Sequence, residues 1–416
     1  MRNVPKLRFK GFIDEWKESY LEELTKIITK QTGFDYSATI KPSLVKERAD
    51  DTVPFIQNKD FKGKHINYNT DFYIPKNIQK KFPKITLDEK CILITISGNI
   101  GNVGLFNYNE LSFIGGAVGV IKIKDISMLD YLFYYLISTK CQKKIISNEK
   151  TSAHKNITVE DIRKLIIKFP CSNEQEKIAN FLSSIDKKIS ITEEKLDLFK
   201  DYKKGVMQKI FNQELRFKDS NGNDYPEWEE KNFQQLVLLQ RGSSPRPIVK
   251  YITTSSDGVN WIKIGDTNKE NRFITSTSEK ITKEGAKKSR EVKKGEIILS
   301  NSMSYGRPFI LKIDGYIHDG WFVLRNYEEN LNKEFLCQLL GSEIVQKQYK
   351  KLAAGGVVEN ISSELVNAVN IELPCLEEQE KIANFLSSID NKIDNLVAKL
   401  EDLKEFKKGL LQQMFV

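Results

Sequence analysis

The stretch EQEKIANFLSSID occupies residues 174–186 and recurs letter for letter at 378–390, 204 positions later. Widened to PCSNEQEKIANFLSSIDKKI from Pro170 and PCLEEQEKIANFLSSIDNKI from Pro374, the two copies agree at seventeen of twenty positions. Self-similarity at so long a period marks a duplicated structural unit, and the rest of the chain is read against it. Weaker echoes extend the duplication. Leu7-Arg-Phe-Lys followed by Glu15-Trp16 returns as Leu215-Arg-Phe-Lys with Glu227-Trp228. Val53-x-Phe-Ile-x-x-x-Asp60 parallels Val259-x-Trp-Ile-x-x-x-Asp266. The apolar run from Ile92 through Ser97 to Gly101 parallels that from Ile297 through Ser302 to Gly306. Between these landmarks the residues diverge, so a common framework carries two different payloads. Each half ends where the other begins, which allows the chain to close on a pseudo-two-fold axis.

The repeated stretch opens a helix. Residues 174–211 contain no Pro and only one Gly, Gly205. Ile178, Leu182, Ile185, Ile189, Leu196, Phe199, Val206 and Ile210 alternate four and three apart. The second copy answers with Ile382, Leu386, Ile389, Ile393, Leu396, Leu400, Leu403, Leu410 and Met414. Five heptads of this kind predict a helix of roughly 55 Å that winds against a partner. Both stripes break at a lysine, Lys203 and Lys407. A lysine on the apolar side either fixes register or marks a fraying end. Gln175, Asn180 and Ser183, read as exposed, recur as Gln379, Asn384 and Ser387. With Lys177 and Lys381 they form a candidate docking face for one partner bound twice, since packing alone tolerates Leu, Ile or Met exchange.

A chain of 416 residues suggests two to four domains, and 40% hydrophobic content suits folded ones. No apolar run approaches the roughly 20 residues of a membrane span, and the start carries charge where a signal peptide is apolar. A cytoplasmic protein is expected. Cys91, Cys141, Cys171, Cys337 and Cys375 are odd in number and widely spaced, and there are three histidines. That pattern predicts reduced thiols and no metal site. The net charge is +9, yet residues 174–211 hold eight lysines against seven acids and residues 378–415 six against seven. The excess therefore lies outside the helices. Basic residues favour solubility in general, and concentrated on the variable domains they suit a polyanion such as DNA.

Those domains, at 1–155 and 213–358, read as mixed α and β. Strands are predicted at 53–56, 92–96 and 118–123, and again at 261–264, 297–300 and 321–324. Helical stretches follow at 129–147 and 333–352. Polar loops separate the strands. The first domain offers Asn58, Lys59, Lys62 and Lys64, then Ser97, Asn99 and Asn102, then Lys150, Thr151, Ser152, His154 and Lys155. The second offers Arg241, Ser243, Ser244 and Arg246, then Lys263 and Lys269, then Asn301, Ser302, Ser304, Tyr305 and Arg307. Arg, Lys, Asn, Gln and Ser reach phosphates and base edges, although such loops are also ordinary exposed turns. His154 and His318 read as polar loop residues and not as metal ligands. Gly98-x-x-Gly101-x-x-Gly104 has the wrong spacing for a dinucleotide loop and reads as a tight turn. There is no GxxxxGK[ST], no CxxC, no nucleophile elbow, no Asn-Pro-Pro-aromatic tetrapeptide and no Pro-Asp preceding the acid–x–Lys element of a nuclease. A binding protein without a catalytic site is expected. A duplicated scaffold that never touches DNA is the alternative, disfavoured by neutral helices beside basic variable domains. A stand-alone nuclease lacks its acidic cluster.

This layout resembles the specificity subunit of type I restriction–modification systems. Pro-x-x-x-[ED]-Gln-x-x-Ile-Ala-x-x-Leu-x-x-[IL]-Asp, present at 170–186 and 374–390, carries the resemblance, which covers the whole chain. It implies an α+β chain in which two mixed α/β target-recognition domains alternate with helical regions at 156–212 and 359–416. The helices are expected to pair as an antiparallel coiled coil. Each domain would read one half of a bipartite asymmetric sequence in double-stranded DNA. The helices would set the spacing and dock two methyltransferase subunits, with restriction/translocase subunits joining them. S-adenosylmethionine, ATP and Mg would reside on those partners, leaving this chain without a cofactor.

Overall fold

The computed structural model describes residues 4–147, 156–267, 272–301, 306–353 and 361–416. The chain divides into two compact units, residues 1–191 with 400–416 and residues 192–399. Each unit therefore takes helix from both repeats.

In the first unit, strands Thr25–Lys30, Val118–Ile123, Cys91–Thr95 and Val103–Phe106 form one antiparallel sheet in that order. Tyr73–Pro75, Thr52–Ile56, Ser112–Ile114 and Thr86–Leu87 form the second, with Thr52–Ile56 and Ser112–Ile114 parallel. All five residues of Cys91–Thr95 are buried, and alternation of side chains divides them between two cores. Ile92 and Ile94 join Leu132, Leu182 and Ile185 on the helical side, whereas Cys91 and Leu93 join Phe55, Phe106 and Phe113. A continuous apolar run is the expected signature of such a strand, covered on both faces. Burial pushes the Cys141 thiol up to about 12.

The second unit repeats this plan with two five-stranded sheets. One runs Leu238–Arg241, Trp321–Arg325, Ile297–Ser300, Pro308–Leu311 and Phe273–Ile274. The other runs Ile252–Thr253, Glu279–Ile281, Val259–Ile262, Gly315–Ile317 and Arg290–Val292. The predicted strands fall within a residue or two of these, and the predicted single helices split. Ser138, in extended conformation, separates Leu129–Ile137 from Thr139–Ser147, and Gly341 caps Lys333–Leu340 before Glu343–Ala353.

Both recognition folds extend beyond the boundaries read at 155 and 358. Ile166–Phe169 pairs antiparallel with Lys17–Tyr20, and Asn370–Leu373 with Glu229–Asn232. Two residues after each of these strands a long helix begins, Ser172–Phe211 of 40 residues and Leu376–Gln413 of 38.

The weak Leu-Arg-Phe echo and the strong repeat recognise each other. Arg8 grips the buried Glu174 through two 2.8 Å bonds, and Phe9 meets Phe181 edge-on at 5.6 Å. Arg216 and the Trp228 indole hold the buried Glu378 at 2.9 and 3.0 Å, and Phe217 meets Phe385 at 5.5 Å. The Leu7 amide donates to Gln413 at 3.0 Å, as the Leu215 amide donates to Lys209 at 3.1 Å. The amino-terminal segment thus takes up at the end of the second long helix as Leu215 does at the end of the first.

Arg8→Met leaves Glu174 buried without its cation. The expected loss is about 3 kcal/mol, the lower end for a broken buried pair because Arg8 keeps some solvent contact. A melting temperature lower by roughly 6–10 °C should follow, with Arg8→Met/Glu174→Met recovering most of it. Thermal denaturation of the three proteins checks both statements.

Candidate nucleic-acid interface

Registers place several strand ends of the second unit at one edge. Arg241 lies opposite Phe322, Ser300 opposite Trp321, and Ile262 opposite Ile317. The loops predicted to carry contacts therefore converge, and they do so on Asp319. Its carboxylate accepts from the Ser244 hydroxyl at 2.7 Å and pairs with Arg246 at 3.4 Å. Its carbonyl accepts from Arg241 Nε at 3.2 Å and from Asn301 Nδ2 at 2.8 Å. The Ser244 bond holds the Asp319 carboxyl below the usual range. Gly242 lets the backbones approach this closely, since a Cβ there would sit 2.0 Å from the His318 carbonyl oxygen. His318 is pushed below its ordinary pKa by burial, and its Nδ1 accepts from the Gly320 amide at 2.7 Å. It is a structural residue of the turn.

Other predicted residues have different surroundings. Ser243 donates to the Lys288 carbonyl at 3.2 Å, and Lys263 pairs with Glu279 at 2.7 Å. Arg307 stacks 4.8 Å over Phe309 and, with Lys203 and Arg272, lines a cavity of about 500 Å³. Lys269, Ser302, Ser304 and Tyr305 lie outside the described residues.

The first unit gathers the matching loops. Asn58 Nδ2 donates to the Ser97 carbonyl at 2.7 Å, joining the turn after Thr52–Ile56 to that after Cys91–Thr95. Asn99 and Asn102 are exposed on a hairpin whose Gly98 and Gly101 are left-handed, so these two glycines make the tight turn expected, while Gly104 lies buried in the following strand. The same edge carries an aromatic the sequence reading missed, Phe34, 80% exposed beyond Gln31, which donates to the Ile114 carbonyl. Lys62 is exposed and Lys59 pairs with Asp71. Lys64 differs. It is nearly buried, bound to Asp130 at 2.7 Å and 3.4 Å from Ser183 Oγ, so its charge is spent inside the unit and not offered to a phosphate. Lys150, Thr151, Ser152, His154 and Lys155 lie outside the described residues.

The docking set also changes. Gln175 and Gln379, read as exposed, are buried, and their amides donate to the Pro170 and Pro374 carbonyls at 2.8 and 2.9 Å. Lys177 covers Phe9 and Phe12, while Lys381 covers Tyr225 and donates to the Lys218 carbonyl. Ser183 accepts from Lys64, and Ser387 Oγ is buried. Much of the repeat is identical because each copy must hold its own Leu-Arg-Phe segment. Glu176, Asn180 and Ser184 remain exposed at successive four-residue steps, as do Glu380, Asn384 and Ser388.

A second echo went unread. Asp201-Tyr-Lys-Lys-Gly205 returns as Glu405-Phe-Lys-Lys-Gly409. Tyr202 and Phe406 are each 53% exposed. Gly205 and Gly409, three residues on and so on the same face, would meet nothing within 4 Å if given a Cβ. A glycine inside a helix costs about 1 kcal/mol relative to alanine. Nothing within either unit explains why both helices keep one. The lysines between them do not fray, for Lys203 pairs with Asp390 at 2.6 Å and Lys407 with Asp186 at 2.5 Å.

Comparison with known proteins agrees with this arrangement. The family described as type I restriction modification DNA specificity domain matches residues 13–199 and again 225–405. The MjaVIII type I restriction enzyme specificity subunit of Methanocaldococcus jannaschii is 26% identical over 398 residues, 88% of this chain and 90% of its own. The MjaIX specificity subunit of the same organism is 26% identical over 212 residues, half of this chain and 48% of its own. Among solved structures, the S subunit of a type I restriction–modification system from M. genitalium superposes with a TM-score of 0.60 at 16% identity, covering 99% of both chains. A chain from a structure addressing complex assembly and conformational transition of the type I R-M system gives 0.54 at 15% identity, covering 96% and 97%. Among the described residues no helix is long and apolar enough to cross a membrane.

Proposed function

Because the chain belongs to the type I restriction modification DNA specificity family, and is a specificity subunit with two target-recognition domains, we propose that each domain reads one half of a split DNA sequence at its convergent loop edge. The observation that carries this reading is the recurrence of one strand-end edge in both units with different side chains on it. The loop after Leu238–Arg241 carries Ser243, Ser244 and Arg246 where the loop after Thr25–Lys30 carries Thr32 and Phe34, and Arg307 stands in the second unit where Asn102 stands in the first. Exposed Arg246 and Asn102 suit phosphates and base edges, and exposed Phe34 suits a base step. A common frame with divergent loops reads two unlike half-sites.

The long helices serve as the ruler between the halves, pairing as an antiparallel coiled coil. Two methyltransferase subunits dock on them, one per repeat, over the faces that carry Glu176, Asn180, Ser184 with Tyr202 and their counterparts. Restriction/translocase subunits complete the assembly. S-adenosylmethionine, ATP and Mg act on those partners, and this chain is the non-catalytic, cytoplasmic recognition part. Half-sites about one DNA turn apart, roughly 34–36 Å, can be read from one side of the duplex. Sequencing the methylome of a host with and without this gene tests the reading. One bipartite methylated motif should vanish on deletion and return on complementation. A methylome indifferent to the gene would favour the scaffold alternative.

A further inference from the structure

Each unit contains a charged node where a recognition domain meets both long helices. In the second unit Asp390 accepts Lys203 at 2.6 Å, Gln338 at 2.6 Å and Arg272 at 3.1 Å. Arg272 also donates to Asn391 at 3.1 Å and lies 3.9 Å from both Glu334 and Asp394. In the first unit Asp186 accepts Lys407 at 2.5 Å and the Tyr134 hydroxyl at 2.6 Å. Lys64 lies 5.1 Å over the Tyr134 ring and binds Asp130. The correspondence is residue for residue, with Asp186 for Asp390, Lys407 for Lys203, Tyr134 for Gln338, Asp130 for Glu334 and Lys64 for Arg272. The chemistry of the domain-side members has diverged while the helix-side pair has not.

Apolar neighbours alone do not explain this placement. Leu396, Leu400 and Leu403 of the second helix and Phe199 of the first are only half-buried, so that stretch of the stripe holds its register weakly. Leucine knobs also accept a slip of one heptad, whereas such a slip would part lysine from aspartate by about 10 Å. Buried polar groups are best attested as devices that select one register at some cost in stability. Asp390 and Asp186 are the last residues of the identical thirteen, and each ties two helices and one recognition domain to a single point.

Building on the split-sequence reading, we propose that Asp186–Lys407 and Asp390–Lys203, together with Tyr134, Gln338, Lys64 and Arg272, are positioning residues that determine the gap between the two half-sites. They do so by fixing each recognition domain on the helices of its own unit. A displacement of about 3.4 Å corresponds to one base pair, so loosening a node loosens the gap.

The test assembles the whole chain with its methyltransferase subunits and measures methylation on a set of duplexes whose gap is the cognate length, one pair shorter or one longer. The Lys203→Met/Lys407→Met protein should keep both half-sequences. It should methylate the off-length duplexes at a tenth of the cognate rate or more, where the wild type should show at least a hundredfold preference. Reversing one pair, Lys407→Asp with Asp186→Lys, should restore strict gap choice relative to Lys407→Asp alone. A double variant that keeps the wild-type gap preference overturns the proposal. So does uniform loss of methylation at every gap without relaxation, including loss through misfolding, because it marks a node serving only stability. Wild-type complex that modifies no split sequence would instead sink the reading on which the proposal rests.

Discussion

Exchanging residues 229–373 for the equivalent domain of a relative should replace one half of the methylated motif and leave the other half unchanged. The old sequence should be methylated at least ~10³-fold less than the new one, the low end of specific over non-specific discrimination. The cut points follow from the strands. Glu229–Asn232 pairs with Asn370–Leu373, so a cut on their outer sides moves the pair intact. Arg216, Phe217 and Trp228 then stay with Glu378 and Phe385 on the retained helix. Exchange of 213–358, the boundary suggested by sequence alone, separates Glu229–Asn232 from its partner and takes Arg216 from the buried Glu378. That chimaera should be poorly folded. Sequencing the methylome of cells carrying each chimaera decides the matter. A swap at 229–373 that altered both halves, or neither, would mean recognition is not divided between the units.

The duplication was legible because it is written as identity, and the helices because their apolar stripes run for five heptads without a proline. Strand positions followed from apolar runs such as Cys91–Thr95. What stayed hidden depended on partners far apart in sequence. Nothing local shows that Lys64 is bound to Asp130, or that Ile166–Phe169 completes a ladder with Lys17–Tyr20. Asp319 attracted no notice because a single acid in a basic loop looks like noise until Arg241, Ser244, Arg246 and Asn301 arrive around it. Lys203 and Lys407 were noticed as matched breaks in the stripe, but their meaning needed Asp390 and Asp186, which close the other copy of the repeat. The Asp201–Gly205 echo is readable in the sequence as well, since Glu405–Gly409 repeats it with two conservative changes.

That glycine leads to the second large effect. Gly205→Leu and Gly409→Leu should not harm the free chain, since a Cβ at either position meets nothing and leucine is the better helix former by roughly 0.8 kcal/mol. Free specificity subunit should melt at the same temperature or slightly higher. On the docking proposed above assembly should suffer, because a methyltransferase surface seated against Tyr202 and Gly205, or Phe406 and Gly409, would have no room for an isobutyl group. Overpacking a tight contact costs about 1–3 kcal/mol, so each site should weaken by roughly 5- to 150-fold. Native mass spectrometry should find two methyltransferase subunits on the wild type, one on either single variant at limiting concentration, and none on the double. Stability that rises while assembly falls separates a docking face from a structural one, for which both would move together. Two subunits binding the double variant with undiminished affinity would exclude these glycines from the interface.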